Sequence, residues 1–214
     1  MLVAAGRGDR LGADRPKAFA RLGERVLLAE PLERLEASDW IDAIVVAAPA
    51  EWEEPTILLA EELGCGKVSA VVTGGSTRAE SVRVALAEVP DEAVAVLVHD
   101  AARPLVADAV IERVLAGLGD GFDGVVPALA ISDTVKRVAG RVVVETLDRD
   151  GLVAVQTPQA FVTTALRAAA AAGEGTDCAS LVEARGGRIR VVEGDPKLRK
   201  VTTPEDLELV ASWL

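Results

Sequence analysis

The first seventeen residues hold the residue types and spacing that phosphate chemistry needs. Ala4-Ala5-Gly6-Arg7-Gly8-Asp9-Arg10-Leu11-Gly12 is followed by Arg15-Pro16-Lys17. Glycines let backbone N–H groups close on a phosphate, and Arg10 and Lys17 would neutralise it. A dinucleotide fingerprint, G-x-G-x-x-G, would need its third glycine where Leu11 stands. The G-x-x-x-x-G-K-[ST] of a Walker A loop does not occur. A glycine loop after a short apolar run, with two cations, fits a nucleoside triphosphate.

Four further clusters carry polar groups at the ends of apolar runs. Val96-Leu97-Val98 leads into His99-Asp100-Ala101-Ala102-Arg103-Pro104. Asp100 is placed to meet a ribose hydroxyl or Mg²⁺, which takes carboxylate oxygens in phosphate sites. His99, the one histidine of the chain, suits a structural hydrogen-bonding role better than that of a base. Gly74-Gly75-Ser76-Thr77-Arg78-Ala79-Glu80-Ser81 permits close backbone approach to a base or sugar. Gln156-Thr157-Pro158-Gln159-Ala160-Phe161 and Arg199-Lys200-Val201-Thr202 complete the set. Open α/β sheets bind ligands at the carboxyl ends of their strands, so these clusters can share one crevice.

The elements that must position them alternate. Strands are expected at Met1–Ala5, Ala43–Ala48, Val68–Val72, Val94–Val98, Gly124–Ala128, Val153–Gln156 and Ile189–Val192. Helices are expected at Leu27–Ala37, Glu51–Leu63, Thr77–Val89, Ala107–Gly117, Thr163–Ala172, Cys178–Ala184 and Pro204–Trp213. Most of the strand runs are continuous rather than alternating, as strands buried on both faces should be. The fold class is α/β, a mostly parallel twisted sheet with helices on both faces. Thr203-Pro204 marks a helix start, and Thr77-Arg78-Ala79-Glu80 resembles a capping box. Residues 134–138 and 141–146, joined by Ala139-Gly140, read as a protruding β-hairpin. Val142, Val143 and Val144 in a row call for a cover, and a second subunit is the expected one.

Composition narrows the class. The chain has 214 residues and a net charge of −11, which argues against a nucleic-acid or anionic-membrane binder. Residues 1–25 go against the trend, with six cations and three acids. A local basic site in an acidic protein suits a small polyanion. Three Phe, three Trp and no Tyr leave little for stacking a nucleobase, so backbone groups are expected to read it. Cys65 and Cys178 stand apart with no CxxC, which suggests neither a disulfide framework nor a zinc site. No run approaches the length of a membrane span and no signal-peptide pattern opens the chain, so the expected location is cytoplasmic. A single domain over 1–214 is expected, with 132–149 as a dimerisation arm.

Taken together, AAGRGDRLG with RPK, GGSTRAES, VHDAARP, SDTVK, LDRDGL, QTPQAF, TDCASLVE and KVTTPEDL resemble the 2-C-methyl-D-erythritol 4-phosphate cytidylyltransferases of non-mevalonate isoprenoid synthesis. They run in the family's order over almost the whole chain. The resemblance implies a Rossmann-like nucleotidyltransferase fold, CTP and methylerythritol phosphate as substrates, Mg²⁺, and a homodimer. It implies that Arg10 and Lys17 grip the triphosphate and stabilise charge at the α-phosphorus. Ala4, Ala5, Gly6, Gly8, Gly75, Ser81 and Ala101 would line the nucleotide pocket, and Asp100 would hold ribose or metal. Thr157, Lys200 and Arg103 would position the acceptor. Thr134 and Arg149 would reach it from the partner's arm, which makes Arg10, Lys17, Arg149 and Lys200 the catalytic set. Other readings are a cytidylyltransferase for another polyol phosphate, such as ribitol 5-phosphate, and a catalytically silent nucleotide-binding homologue.

Overall fold

The computed structural model describes residues 1–6, 8, 11, 15–171, 175 and 177–214. In chain order the strands and helices are β1 (Leu2–Val3), β2 (Arg21–Leu22), β3 (Arg25–Val26), α1 (Ala29–Glu36), β4 (Ile44–Ala48), α2 (Glu53–Glu62) and β5 (Val68–Thr73). There follow α3 (Arg78–Ala87), β6 (Ala95–Asp100), α4 (Asp108–Ala116), β7 (Gly124–Ala130), β8 (Lys136–Ala139), β9 (Val142–Thr146) and β10 (Val153–Val155). The chain ends with β11 (Gln159–Val162), α5 (Thr163–Ala170), α6 (Cys178–Glu183), β12 (Ile189–Glu193) and α7 (Pro204–Ala211).

The main sheet runs β10-β7-β11-β6-β1-β4-β5, with β12 beside β7. β1 lies between β6 and β4, parallel to both, with Leu2 opposite His99 on one side and Val46 on the other. Its hydrogen bonding extends past the assigned strand: Ala4 N–H donates to Ala47 O and Ala101 N–H to Val3 O. The glycine loop therefore leaves the middle of the sheet at its carboxyl edge.

Alternation along the strands divides the core. Leu2, Val46 and Leu97 face one side, where Leu32, Leu35, Val110 and Ile111 cover them. Val45, Ala47, Val96 and Val98 face the other, under Val82, Leu86, Leu166 and Leu181. Successive residues of a strand point to opposite faces, so these runs are apolar throughout because both faces are covered. No helix among the described residues is long and apolar enough to cross a membrane.

The structure departs from the expected plan in four places. Residues 153–155 form an exposed antiparallel edge rather than a buried strand. Gln159–Val162 is a strand, antiparallel to both β6 and β7, where the sequence suggests only a polar strand end. A small hairpin, β2–β3, turns at Gly23 with φ 64° ahead of the first helix. The capping box at Thr77 is only half formed. Thr77 accepts from Glu80 N–H, but the Glu80 carboxylate takes the N–H and hydroxyl of Ser76 instead. The hairpin β8–β9 is present, and every residue of both strands is exposed.

Candidate active site

A cleft of about 800 Å³ opens along the carboxyl edges of β1, β4, β5 and β6. Its described charged lining is Lys17, Arg78, Lys200 and Asp100, and no aromatic ring is among the described lining residues. Ala4, Ala5, Gly6, Gly8, Gly75, Ser81 and Ala101 also line it. Arg10 lies outside the described residues.

Each wall has a local cause. Gly8 has φ 77°, and a Cβ there would come within 2.8 Å of Lys17 Cβ, so only glycine lets the loop fold over the lysine. Lys17 opens a 3-10 turn whose next residues, Ala18 and Phe19, are buried and anchor it. A Cβ on Gly74 would sit 2.2 Å from Ala5 Cβ, so this glycine lets β5's end approach the loop after β1. Ser81 is 1% exposed and builds the wall from beneath. It accepts from Gly75 N–H at 3.0 Å and donates to Thr77 O at 2.9 Å.

Asp100 is the electrostatic centre. Its Oδ1 meets Nε and Nη2 of Arg78, both at 2.9 Å, and its Oδ2 meets Lys200 Nζ at 2.7 Å. Burial works to raise the carboxyl's pKa, but the two cations outweigh it and hold it well below the usual carboxylate range. Asp100 is thus ionised at every physiological pH. Arg78 also donates to Cys178 Sγ at 3.4 Å. The sequence names Arg78 only within its motif, because nothing local predicts a pair formed across 22 positions.

Lys200 is aimed by its neighbours. Leu198 and Val201 are fully buried, and Val201 N–H donates to Ala102 O at 2.8 Å. Arg199 points elsewhere: its guanidinium pairs with Asp206 at 2.8–2.9 Å. Asp206 Oδ2 further accepts from Thr202 N–H, the Thr202 hydroxyl and Thr203 N–H. Burial alone would raise the Asp206 pKa, but hydrogen bonds from Thr202 and Arg199 hold it far below the usual range. Asp206→Ala is expected to cost about 2–3 kcal/mol in urea unfolding at pH 7, from lost bonds to a charged group. A carboxyl with a depressed folded pKa stabilises above its unfolded value, about 3.9, and that contribution falls as pH drops toward the folded pKa. The difference between the two proteins should therefore shrink below about pH 4.

Four expected site residues do not line the cleft. Arg103 lies behind it, with Nη1 donating to Leu198 O at 2.6 Å. Thr157 is 4% exposed and accepts from Asp100 N–H at 3.0 Å. Thr134 and Arg149 are exposed at the base of the hairpin, where Arg149 Nη1 donates to Ser132 O. His99 is 1% exposed, and burial pushes it down to about 4, so the ring is neutral. Gln156 holds the turn at 194–195, its amide exchanging bonds with Asp195 O and Asp195 N–H.

The comparisons with known proteins agree with this geometry. The family described as 2-C-methyl-D-erythritol 4-phosphate cytidylyltransferase matches residues 1–214. A curated protein of that description from Nocardia farcinica is 47% identical over 216 residues, covering 100% of this chain and 92% of the relative. One from Rhodococcus jostii is 46% identical, covering 98% and 91%. Among solved structures, the 2-C-methyl-D-erythritol 4-phosphate cytidylyltransferase of Thermus thermophilus superposes with a TM-score of 0.81 at 32% identity, covering 100% of this chain and 97% of that one.

Proposed function

The chain belongs to the 2-C-methyl-D-erythritol 4-phosphate cytidylyltransferase family, and from that premise we propose that it transfers the cytidylyl group of CTP to 2-C-methyl-D-erythritol 4-phosphate. A phosphate oxygen of the acceptor forms a bond to the α-phosphorus of CTP, the α–β bond breaks, and pyrophosphate leaves. The observation that carries this reading is a cleft of nucleotide size whose described charged lining is three cations and one carboxylate.

The acceptor's second pKa is near 6, so its phosphate is already anionic at neutral pH. No general base is needed, which suits a cleft whose nearest histidine is buried and neutral. The protein's work is positioning and charge neutralisation. Lys17 and Arg10 take the triphosphate, and Lys200 neutralises charge at the α-phosphorus. The backbone about Ala4, Ala5, Gly6 and Gly75 reads the base, and Asp100 with Ala101 meets the ribose.

Mg²⁺ belongs to this reading. Among the described residues the cleft holds one ionised carboxylate, Asp100, which fits Mg²⁺, since that ion is commonly held by one or two carboxylates and the substrate's own phosphates. Asp100 would hold it, and the ion would neutralise phosphate charge and aid the leaving of pyrophosphate.

The reading also includes a homodimer and a cytoplasmic site of action. Val138, Val142, Val143 and Val144 are each more than half exposed on the hairpin, a surface that a partner would cover. Thr134 and Arg149 would then reach the partner's cleft rather than their own.

Pyrophosphate release from CTP, measured with methylerythritol phosphate and with ribitol 5-phosphate, tests the acceptor. Faster turnover with methylerythritol phosphate is expected, and preference for ribitol 5-phosphate would overturn the assignment.

A further inference from the structure

We propose that His99 is a positioning residue for the transfer, holding Asp100 and Lys200 in place through a closed ring of hydrogen bonds. The inference rests on the reading of the cleft as a cytidylyl-transfer site. Asp100 N–H donates to Thr157 Oγ1 at 3.0 Å, and that oxygen lies 3.1 Å from His99 Nδ1. His99 Nε2 lies 3.0 Å from Arg103 O. Arg103 N–H returns to Asp100 O at 2.9 Å and closes the ring.

Donor and acceptor chemistry fixes the Nε2 proton, and burial sets the state of Nδ1. A carbonyl oxygen only accepts, so Nε2 carries the imidazole hydrogen. The side chain is 1% exposed, and burial favours the neutral form, in which Nδ1 only accepts. The Thr157 hydroxyl therefore donates to Nδ1 while accepting from Asp100. Its one proton is engaged, so Thr157 has none to offer a substrate phosphate. That gives Thr157 a role through His99 in place of the direct contact expected from the resemblance.

The ring reaches both charged groups of the cleft. It pins the main chain of Asp100 at the last residue of β6, which sets where the carboxylate points. It also pins the carbonyl of Arg103, whose guanidinium holds Leu198 O at 2.6 Å. Val201 N–H donates to Ala102 O at 2.8 Å, inside the same turn. Lys200 lies between those two anchors, and its Nζ meets Asp100 Oδ2 at 2.7 Å. A reoriented imidazole would release the turn and move acid and cation together. Neutral imidazole is suited to the task because it accepts at one nitrogen and donates at the other across a buried gap.

Two measurements test this. The chain has one histidine, so the nitrogen-15 spectrum of histidine-labelled protein reports this ring alone. The neutral Nε2–H tautomer is expected at pH 7.5; the Nδ1–H tautomer or an imidazolium would overturn the proposal. Thr157→Val removes the hydroxyl at nearly constant volume, and Thr157→Ser keeps it. Thr157→Val is expected to lower kcat per folded molecule about tenfold to a hundredfold, as for buried groups left unsatisfied, with KM for CTP little changed. Thr157→Ser should restore most of it. Because the ring acts through Asp100 as well as Lys200, Thr157→Val and Asp100→Asn are expected to combine less than additively. A Thr157→Val protein that loses stability but keeps wild-type kcat overturns the proposal alone. A wild-type chain without turnover overturns the transfer reading and the proposal with it.

Discussion

Lys200→Ala is expected to lower kcat by about 10²–10³-fold, the usual cost of one group that stabilises charge developing in the transition state. Lys200 is the cation that Asp100 holds at the cleft wall, 2.7 Å from Oδ2. Its loss leaves Asp100 still paired with Arg78, so the fold keeps its centre. The Lys200 side chain is 41% exposed against 10% for Asp100, so solvent screens the lysine end of the pair. Urea unfolding should thus change little while turnover collapses. Equal losses in both would mean that Lys200 serves the fold and not the reaction. Steady-state kinetics beside an unfolding curve separates the two.

The second large effect concerns how many chains make one site. Lys17→Ala and Arg149→Ala should each leave little activity alone. Lys17 lines the cleft, whereas Arg149 is exposed at the base of the hairpin and lines no part of its own chain's cleft. If the partner's arm supplies Arg149, a dimer with one of each variant holds one site with both residues intact. Random pairing then restores about a quarter of wild-type activity, since half the dimers are mixed and each has one good site. If each chain builds its own site, co-expression gives only the low average of the two variants.

What could be read from the residues follows a physical division. β4 and the apolar run of β6 were legible because strand segments covered on both faces are apolar at successive positions, and Ile44–Ala48 is buried at every position. Lys17, Asp100 and Lys200 were legible because each ends or follows an apolar run, where a parallel sheet opens to ligands. β11 was not. It begins with Gln159, whose amide finds its partner in Asp177, so a polar residue at the start of a buried strand has no local signature. Arg78 could not be identified as the partner of Asp100, because the pair depends on how α3 meets β6. Arg199 stands beside Lys200 in the same motif, and only the fold shows its guanidinium bound to Asp206. Residue type and strand position announce a group that lines the cleft. Pairing between groups is set by register and packing, which no short window of sequence contains.

This cleft is expected to move a cytidylyl group and not merely to hold a nucleotide. The most direct measurement follows CTP labelled at the α-phosphate, incubated with the purified chain, Mg²⁺ and methylerythritol phosphate. The predicted result is label transferred to the acceptor in step with pyrophosphate released. Label that stays in CTP, although the chain binds the nucleotide, would mean that the cleft holds the nucleotide without transferring its cytidylyl group.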